Sequence, residues 1–244
     1  MPASERAGRR RPVWLFDLDN TLYDARAVFV AVAEAMTDYI ARHVGVDRAE
    51  AEALRLRYWK TYGATLPGLT RHHGVDAAHF LRETHALPQL RALMKSHARD
   101  LAALRRLPGR KFVLTNGPHD YARRVLDGLG LRVGRRGVFE AIIGLEQMRM
   151  FGQDRSKPDA RMLRHVLARR RLNPRDCILV EDALMHQKSA HRIGMRTVWM
   201  QGWLRGTSRP EAEADATLRR RPAYVGRRVH RLTELASIRA HRTL

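Results

Sequence analysis

Two aspartates, separated by a single residue, follow an apolar run near the start of the chain. Val13–Phe16 reads VWLF, and Asp17 and Asp19 follow it. Because a buried strand fixes the direction of the side chains at its end, both carboxylates would enter one cleft, where like charges repel. The pair therefore predicts a site in which a cation is shared and in which the two carboxylates have different chemical tasks.

Three further polar groups follow predicted strands or precede a predicted helix. Thr115 and Asn116 follow a second apolar run, Lys157 precedes a helical pattern, and Glu181 and Asp182 follow the run CILV. Taken singly, each group could be a turn, a helix cap or a solvated lysine. Ligands of open parallel sheets bind at the carboxyl ends of the strands. Four groups converging on one edge therefore predict a single site.

The residue types at this edge predict chemistry on a phosphate group. Carboxylates brought together repel unless they share a cation, and oxygen ligands without a convergent His or Cys set favour a hard ion such as Mg²⁺. Such an ion keeps open coordination positions and commonly takes a phosphate oxygen there. Lys157 and the Thr115 hydroxyl would then hold the remaining phosphate oxygens.

The elements that must position these groups alternate between strands and helices. Strands that read as continuous apolar runs, with helices between them, predict an α/β fold whose Rossmann-like parallel sheet is covered on both faces. Helices are expected at 119–129 and 159–171. The expected strands are Val13–Phe16, Phe112–Leu114, Ala141–Ile143, Ile178–Val180, Val198–Met200 and, more weakly, Tyr224–Val229, with a helix after the last.

The segment 24–107 breaks this alternation because it holds no strand pattern. We predict an α/β core made of residues 1–24 and 104–244, and an inserted helical domain over 25–103. Four helices are expected in the insertion. The first begins at Asp24 and ends near Gly45, and the second begins at Asp47, with Glu50 as a capping box, and runs through Trp59. The third begins at Asp76, and the fourth begins after Pro88 and ends before Pro108.

Composition limits the possible partners. The chain has 244 residues, with 46 Lys and Arg against 25 Asp and Glu, for a formal net charge of +21. Only five of the basic residues are lysine. The arginines are spread along the chain, and they show no aromatic-interleaved pattern of the kind that binds RNA. Nucleic acid is therefore not the expected partner, although a positive field attracts small phosphorylated molecules.

Cysteine content and hydropathy predict the compartment. Cys177 is the single cysteine, which excludes an intramolecular disulfide and suits a reducing cytoplasm. No run approaches about 18 apolar residues, so no membrane span is expected. The basic start, MPASERAGRRRP, leads into no signal-like apolar region and is predicted to be a disordered arm.

Four segments resemble the motifs of the haloacid dehalogenase superfamily, in order and at suitable spacing. They read FDLDNTLY, LTNG, SKPD and VEDALMHQKSA. The insertion after the first motif resembles the helical cap of the first type in that family. Within it, YWKTYGATLPGLTRHHGVD is similar to the cap signature of the pyrimidine 5′-nucleotidase subgroup.

The resemblance implies a role for each motif residue. Asp17 would be the nucleophile that forms an aspartyl-phosphate, and Asp19 would first protonate the leaving oxygen and then accept a proton from water. A dehalogenase has no alkoxide to protonate and usually lacks an acid at this offset, so Asp19 favours a phosphatase. Mg²⁺ would be held by the Asp17 carboxylate, the Asp19 backbone carbonyl and Asp182. Thr115 and Lys157 would stabilise the transferring phosphoryl group, with Asn116 nearby.

The fourth motif departs from the family pattern at His186. The family usually carries Asp or Asn there, four residues after the metal-binding aspartate, to support the metal and its waters. Either His186 substitutes as a hydrogen-bonding partner, or Glu181 takes over part of that role.

Substrate choice would lie in the cap. Lys60, Tyr62 and His72 could contact a base or sugar, although Trp59 and Tyr62 could instead be core residues of a helix end. The resemblance implies a phosphatase of pyrimidine nucleoside 5′-monophosphates. The alternatives are a phosphatase of another small ester, such as phosphoglycolate or a sugar phosphate, and a non-catalytic protein of the same fold that binds nucleic acid through its basic surface. The sequence does not indicate the oligomeric state.

Overall fold

A computed structural model describes residues 11–150, 153–204 and 221–238. The basic arm predicted from the first residues falls mainly on 1–10 and so lies outside the described residues. The chain divides into two compact units, one of Met1–Asp24 with Lys95–Leu244 and one of Ala25–Met94. None of the helices in the described parts is long and apolar enough to cross a bilayer.

The first unit is built on a six-stranded parallel sheet, which confirms the predicted α/β fold. Its strands have the spatial order β3-β2-β1-β6-β7-β8. A separate antiparallel ribbon pairs the short strands β4 and β5. The strands are β1 Val13–Phe16, β2 Arg110–Leu114, β3 Ala141–Ile143, β4 Arg149–Met150, β5 Gln153–Asp154, β6 Cys177–Glu181, β7 Arg196–Met200 and β8 Arg227–Val229.

The central strands are apolar along their whole length because both of their faces are covered. Every residue of β1 and of β6 is buried, as a parallel sheet with helices on each side requires. The last strand is shorter than predicted from Tyr224–Val229, and a 3-10 turn, Leu232–Ser237, follows it in place of the expected helix.

The order of the strands creates a switch point beside β1. The chain moves outward from β1 to β2 and β3, and then returns to the other side of β1 with β6. Such a point opens a crevice at the carboxyl ends of the strands, where ligands of this fold class bind. The Asp17 N–H donates to Val180 O at 2.9 Å, which extends the ladder to the first residue of this crevice.

Four helices complete the first unit: α6 Ala98–Arg106, α7 His119–Gly128, α8 Ala160–Arg169 and α9 Leu184–Arg192. Helix α6 lies in the core unit, so the core resumes at Lys95 rather than at residue 104 as the sequence suggested. The reason is a buried carboxylate on α6. Asp100 accepts from Arg231 Nε at 2.9 Å and from Thr233 N at 3.2 Å.

The second unit is helical, as predicted. It contains α1 Arg26–Ile40, which continues into a π-helical turn at Ala41–Gly45, then α2 Arg48–Tyr62, α3 Thr65–His73, α4 Ala77–His85 and α5 Leu90–Leu93. Two predicted caps are confirmed. The Asp47 side chain accepts from Glu50 N at 2.8 Å, and Asp76 accepts from His79 N at 2.6 Å.

The helices of the insertion differ from the predicted ones in three places. Helix α1 has Ala25, not Asp24, as its N-cap and no side-chain cap. The single helix expected after Pro88 is divided into α5 and α6. Helix α3 was missed because Pro67 and Gly68 interrupt its helical pattern. A Cβ at Gly68 would lie only 2.2 Å from the Tyr58 ring, so glycine there allows α3 to approach α2.

Candidate active site

Asp17 is held by hydrogen bonds to both of its carboxylate oxygens. Lys157 Nζ lies 2.7 Å from Oδ1, and Thr21 Oγ1 donates to Oδ2 at 3.1 Å. All three side chains are buried. The loop before α8 therefore brings Lys157 to the end of β1, which is the convergence predicted from the sequence.

Lys157 also joins Asp17 to the end of β6. Its ammonium lies 2.7 Å from Glu181 Oε2, and His186 Nδ1 lies 3.1 Å from the same oxygen. The contact between His186 Nδ1 and Glu181 Oε2 has the length of an ion pair, which forms only when the ring is protonated. His186 and Glu181 are therefore in contact with each other, while the question of which of them supports a metal stays a prediction.

The electrostatics of the group follow from burial and from this lysine. Burial and the charge of Glu181 raise the pKa of Asp17 to about 6, although Lys157 opposes the rise. Burial also disfavours the Glu181 anion, but the charge of Lys157 and the contact with His186 outweigh it and hold the pKa of Glu181 below its usual range. The pKa of Lys157 is raised, because its two carboxylate partners outweigh its own burial.

Three carboxylates form a cluster that could hold a metal ion. Oxygens of Asp17, Glu181 and Asp182 all lie within 4.8 Å of one another. The Asp182 backbone is held by Trp199 Nε1, which donates to its carbonyl at 2.8 Å. The sequence predicted Asp17 and Asp182 as ligands, whereas the proximity of the Glu181 carboxylate was not predicted for this role.

The Asp19 side chain is separate from that cluster. Its Oδ1 lies 2.6 Å from the Tyr23 hydroxyl and 2.6 Å from the Tyr121 hydroxyl, and the two hydroxyls lie 2.7 Å apart. Burial raises the pKa of Asp19, and the tyrosine hydrogen bonds partly offset this. Burial and the charge of Asp19 raise the pKa of both tyrosines well above the usual value. The tyrosines therefore remain protonated donors at neutral pH.

Thr115 and Asn116 lie at the end of β2 with different environments. The buried Thr115 hydroxyl accepts from Gly117 N at 3.0 Å, so its own proton remains available to a ligand. Asn116 forms two hydrogen bonds with the main chain of Lys157. Its Nδ2 donates to the Lys157 carbonyl at 3.1 Å, and its Oδ1 accepts from the Lys157 N–H at 2.9 Å. Asn116 therefore aligns the loop that carries Lys157.

The three cap residues named from the sequence lie in the second unit. Lys60 is exposed, and the Tyr62 hydroxyl lies 2.8 Å from Nε2 of the exposed His72. The alternative that Trp59 belongs to the core is wrong, since its side chain is 61% exposed on α2. The core position is taken by Tyr58, whose hydroxyl lies 2.8 Å from His73 Nε2.

Sequence reasoning missed three residues at this site. Thr21 and Tyr23 lie within the first motif, and their contacts with Asp17 and Asp19 span only four residues. A regular turn after the strand was a usable signal for them. Tyr121 is 102 residues from Asp19, and nothing in its local sequence indicates the contact.

Comparison with known proteins identifies the family. The sequence model of the haloacid dehalogenase-like hydrolases matches residues 13–194, which is well over half of the chain and includes every motif residue described above. The chain belongs to the haloacid dehalogenase-like hydrolase family. The predicted superfamily is thereby confirmed, while the pyrimidine 5′-nucleotidase subgroup stays a prediction.

Solved structures of haloacid dehalogenase-like proteins share this fold. A HAD phosphatase from Thermococcus onnurineus superposes with a TM-score of 0.61 at 18% identity, over 92% of this chain and 95% of the other. CbbY from Rhodobacter sphaeroides, solved in complex with phosphate, gives 0.60 at 19% identity over 92% and 96%. At these identities the likeness shows the fold alone.

A curated relative matches a shorter stretch of this haloacid dehalogenase-like hydrolase. Phosphate metabolism protein 8 of Saccharomyces cerevisiae is 33% identical over 67 residues, which make up 27% of this chain and 21% of the yeast protein. The match thus spans about a fifth of that relative's length.

Proposed function

We propose that the chain is a Mg²⁺-dependent phosphomonoesterase that works through an aspartyl-phosphate on Asp17. The observation that carries the proposal is the separation of two carboxylates that are only two residues apart. Asp17 lies in a buried cluster with Lys157, and Asp19 is held outside it by two tyrosine hydroxyls. This division suits one carboxylate that bonds to phosphorus and a second that transfers protons.

In the first half-reaction, an Asp17 oxygen forms a bond to phosphorus as the bond from phosphorus to the substrate oxygen breaks. Asp19, in its protonated form, gives its proton to that leaving oxygen. Burial raises the pKa of Asp19, which favours this form. The products are a neutral alcohol and the aspartyl-phosphate.

In the second half-reaction, a water molecule attacks the phosphorus of the aspartyl-phosphate. Asp19, now a carboxylate, accepts the proton of that water, and the bond between phosphorus and Asp17 breaks. Inorganic phosphate leaves, while Asp17 is restored as a carboxylate and Asp19 as an acid. One group serves as acid and then base, so each turnover returns the site to its starting state.

The other residues of the edge would bind the phosphoryl group. The Lys157 ammonium and the Thr115 hydroxyl can donate hydrogen bonds to its oxygens. Asn116 would act through the Lys157 main chain, which it bonds on both sides. Glu181 would hold the Lys157 charge in place from the β6 side, and His186 contacts the same Glu181 oxygen.

The donor set fits a Mg²⁺ ion. The carboxylate oxygens of Asp17, Glu181 and Asp182 lie together, and no described His or Cys joins them. Asp17 and Asp182, with the Asp19 backbone carbonyl, are the proposed ligands. When bound, the ion would offset the repulsion between the anionic nucleophile and the anionic phosphate.

For the substrate we propose a pyrimidine nucleoside 5′-monophosphate. The support is the cap segment that contains Lys60, Tyr62 and His72, of which the last two are joined by a hydrogen bond on the surface of the second unit. An aromatic ring and an imidazole can stack on a base, and a lysine can contact a sugar or phosphate. A panel of kcat/KM values for UMP, CMP, purine monophosphates, phosphoglycolate and sugar phosphates tests this. Equal values across the panel would remove the pyrimidine assignment.

Replacement of the nucleophile tests the reaction class. Asp17→Asn should abolish Mg²⁺-dependent hydrolysis of p-nitrophenyl phosphate, since an amide cannot form the acyl phosphate. Unchanged hydrolysis in this variant would overturn the assignment of Asp17. A wild-type protein that hydrolyses none of the panel would favour the non-catalytic, nucleic-acid-binding alternative.

A further inference from the structure

Two buried tyrosines converge on one oxygen of Asp19. Tyr23 and Tyr121 are almost fully buried, and their hydroxyls each lie 2.6 Å from Asp19 Oδ1. Oδ2 of the same carboxylate accepts no hydrogen bond from a described residue. The two oxygens of Asp19 are therefore in different environments, since Oδ1 is occupied by phenol donors and Oδ2 accepts no hydrogen bond within the described residues.

The hydrogen bonds among Tyr23, Tyr121 and Asp19 restrain the carboxylate. The three oxygens of Tyr23, Tyr121 and Asp19 are in mutual contact, with 2.7 Å between the hydroxyls. Each phenol has one proton, and the two hydroxyls cannot donate to each other at once. While both phenol protons stay among these three oxygens, at least one phenol donates to Oδ1, and the second phenol either donates there too or orients the first.

The tyrosines are fixed by separate parts of the core. Tyr23 lies in the turn after β1, where its backbone forms a bridge with Asp19. Tyr121 lies in the first turn of α7, and it packs against Gly117, at which a Cβ would lie 3.1 Å from the Tyr121 ring. Motion of the Asp19 side chain is thus restrained from two elements, and buried aromatic rings have few alternative rotamers.

We propose that Tyr23 and Tyr121 are positioning residues that fix the orientation of Asp19 through Oδ1, and that Oδ2 is the oxygen that exchanges protons with the substrate. The proposal rests on the proposed phosphomonoesterase function. Its physical basis is that proton transfer requires an acid within hydrogen-bond reach of the leaving oxygen, and a misplaced acid loses most of its effect.

The proposal makes a prediction about leaving groups. A nitrophenolate is a weak base and leaves without a proton, whereas an alkoxide needs one. A substitution that impairs only proton donation by Asp19 should therefore reduce kcat/KM for an alkyl phosphate far more than for p-nitrophenyl phosphate. kcat/KM is the suitable quantity because it covers the steps up to release of the leaving group and is independent of the later hydrolysis of the acyl phosphate.

The test uses Tyr23→Phe, Tyr121→Phe and the double variant, each of which removes only hydroxyls. We expect a modest effect in either single variant, because the other phenol still donates to Oδ1. In the double variant, kcat/KM should fall at least about tenfold more for ethyl phosphate than for p-nitrophenyl phosphate, which is a part of the full effect of a general acid. Tyr39→Phe is the matched control, since Tyr39 is buried and its hydroxyl lies 2.7 Å from His79 Nδ1.

Two results would overturn the positioning role. The first is an equal fall for both substrates in the double variant, which would indicate a general structural defect. The second is unchanged kcat/KM for both substrates. Thermal denaturation identifies variants that fail to fold, and Tyr23→Phe combined with Gly117→Ala, which crowds Tyr121, provides a second route to the same comparison. Failure of the proposed function has a different signature, namely no hydrolysis of either ester by the wild-type protein.

Discussion

Lys157 Nζ lies 2.7 Å from Asp17 Oδ1, and a second contact of 2.7 Å joins it to Glu181 Oε2. One buried ammonium thus joins the ends of the two central strands across the switch point of the sheet. It compensates two carboxylates that would otherwise repel at close range. The stability of this edge and its chemistry therefore depend on the same lysine.

Removal of the Lys157 charge should be strongly destabilising. Lys157→Met leaves two buried carboxylates without their cation, and breaking a buried pair in this way costs about 3–5 kcal/mol. The free energy of unfolding, measured by urea denaturation in EDTA at pH 8, should fall by about that amount. The deficit should be smaller at pH 5, because the unpaired carboxylates can then take up protons.

Lys111→Met is the matched control for that experiment. Lys111 is also buried, but within the described residues its ammonium donates to the Gly109 carbonyl, at 3.3 Å, and burial lowers its pKa against the charge of Glu140. Its removal leaves no described carboxylate unpaired, so the free energy of unfolding should change by less than about 1 kcal/mol. Similar losses of unfolding free energy in the two variants would contradict a specific stabilising role of the Asp17–Lys157–Glu181 contacts.

Asp100 should be important for the attachment of α6 to the C-terminal turn of the core. It is buried and bonded to Arg231 Nε and to Thr233 N. Asp100→Ala leaves both donors without this partner, and the free energy of unfolding should fall by about 1–3 kcal/mol. The exposed Asp127 on α7 provides the control, since Asp127→Ala should have little effect. Equal stability of the two variants would contradict the structural role of Asp100.

The single cysteine should be unreactive in the folded protein. Cys177 is fully buried at the start of β6, its thiol lies 3.2 Å from Asn173 O, and burial raises its pKa to about 12. The thiolate fraction is then negligible at pH 8 and continues to rise with pH until about pH 12. Alkylation by iodoacetamide at pH 8 should be at least about 100-fold slower in the native than in the urea-unfolded protein. Comparable rates would mean that the thiol is accessible.

Mg²⁺ should stabilise the folded protein through the carboxylate cluster. An ion that binds only the native state adds about 2.7 kcal/mol at a concentration of 100 times its Kd. Thermal unfolding of wild type should therefore shift upward on addition of Mg²⁺ and return after EDTA. Asp182→Asn should lose most of this shift, while the exposed Asp127→Asn should retain it. A shift that persists in Asp182→Asn would place the ion elsewhere.

Much of the core was predictable because its signals are local. The apolar runs at Val13–Phe16 and in CILV are strands because both faces of the sheet are covered, and the residues after them meet at one edge. Asp47 and Asp76 were recognised as caps from their own short segments. Sequence patterns succeed where the same few residues both carry the signal and form the contact.

The rest required contacts between distant segments. Tyr121 reaches Asp19 from another element, and Asp100 fixes α6 to the core through Arg231, which follows it by 131 residues. The pattern of 88–108 predicted one helix, yet this segment forms α5 in the second unit and α6 in the first. Glu181 was expected either in a turn or in a supporting role near the metal, and the position of Lys157 shows why a buried carboxylate is stable there.

The central claim is that Asp17 forms a covalent bond to phosphorus. The most direct measurement is rapid quenching of the enzyme with an aryl phosphate in Mg²⁺, followed by mass spectrometry of its peptides. Asp19→Asn should aid detection, because loss of the base slows hydrolysis of the intermediate. The account predicts one added phosphoryl group on the peptide that contains Asp17, and none in Asp17→Asn. Turnover without any phosphorylated peptide, or a phosphoryl group on another residue, would contradict it.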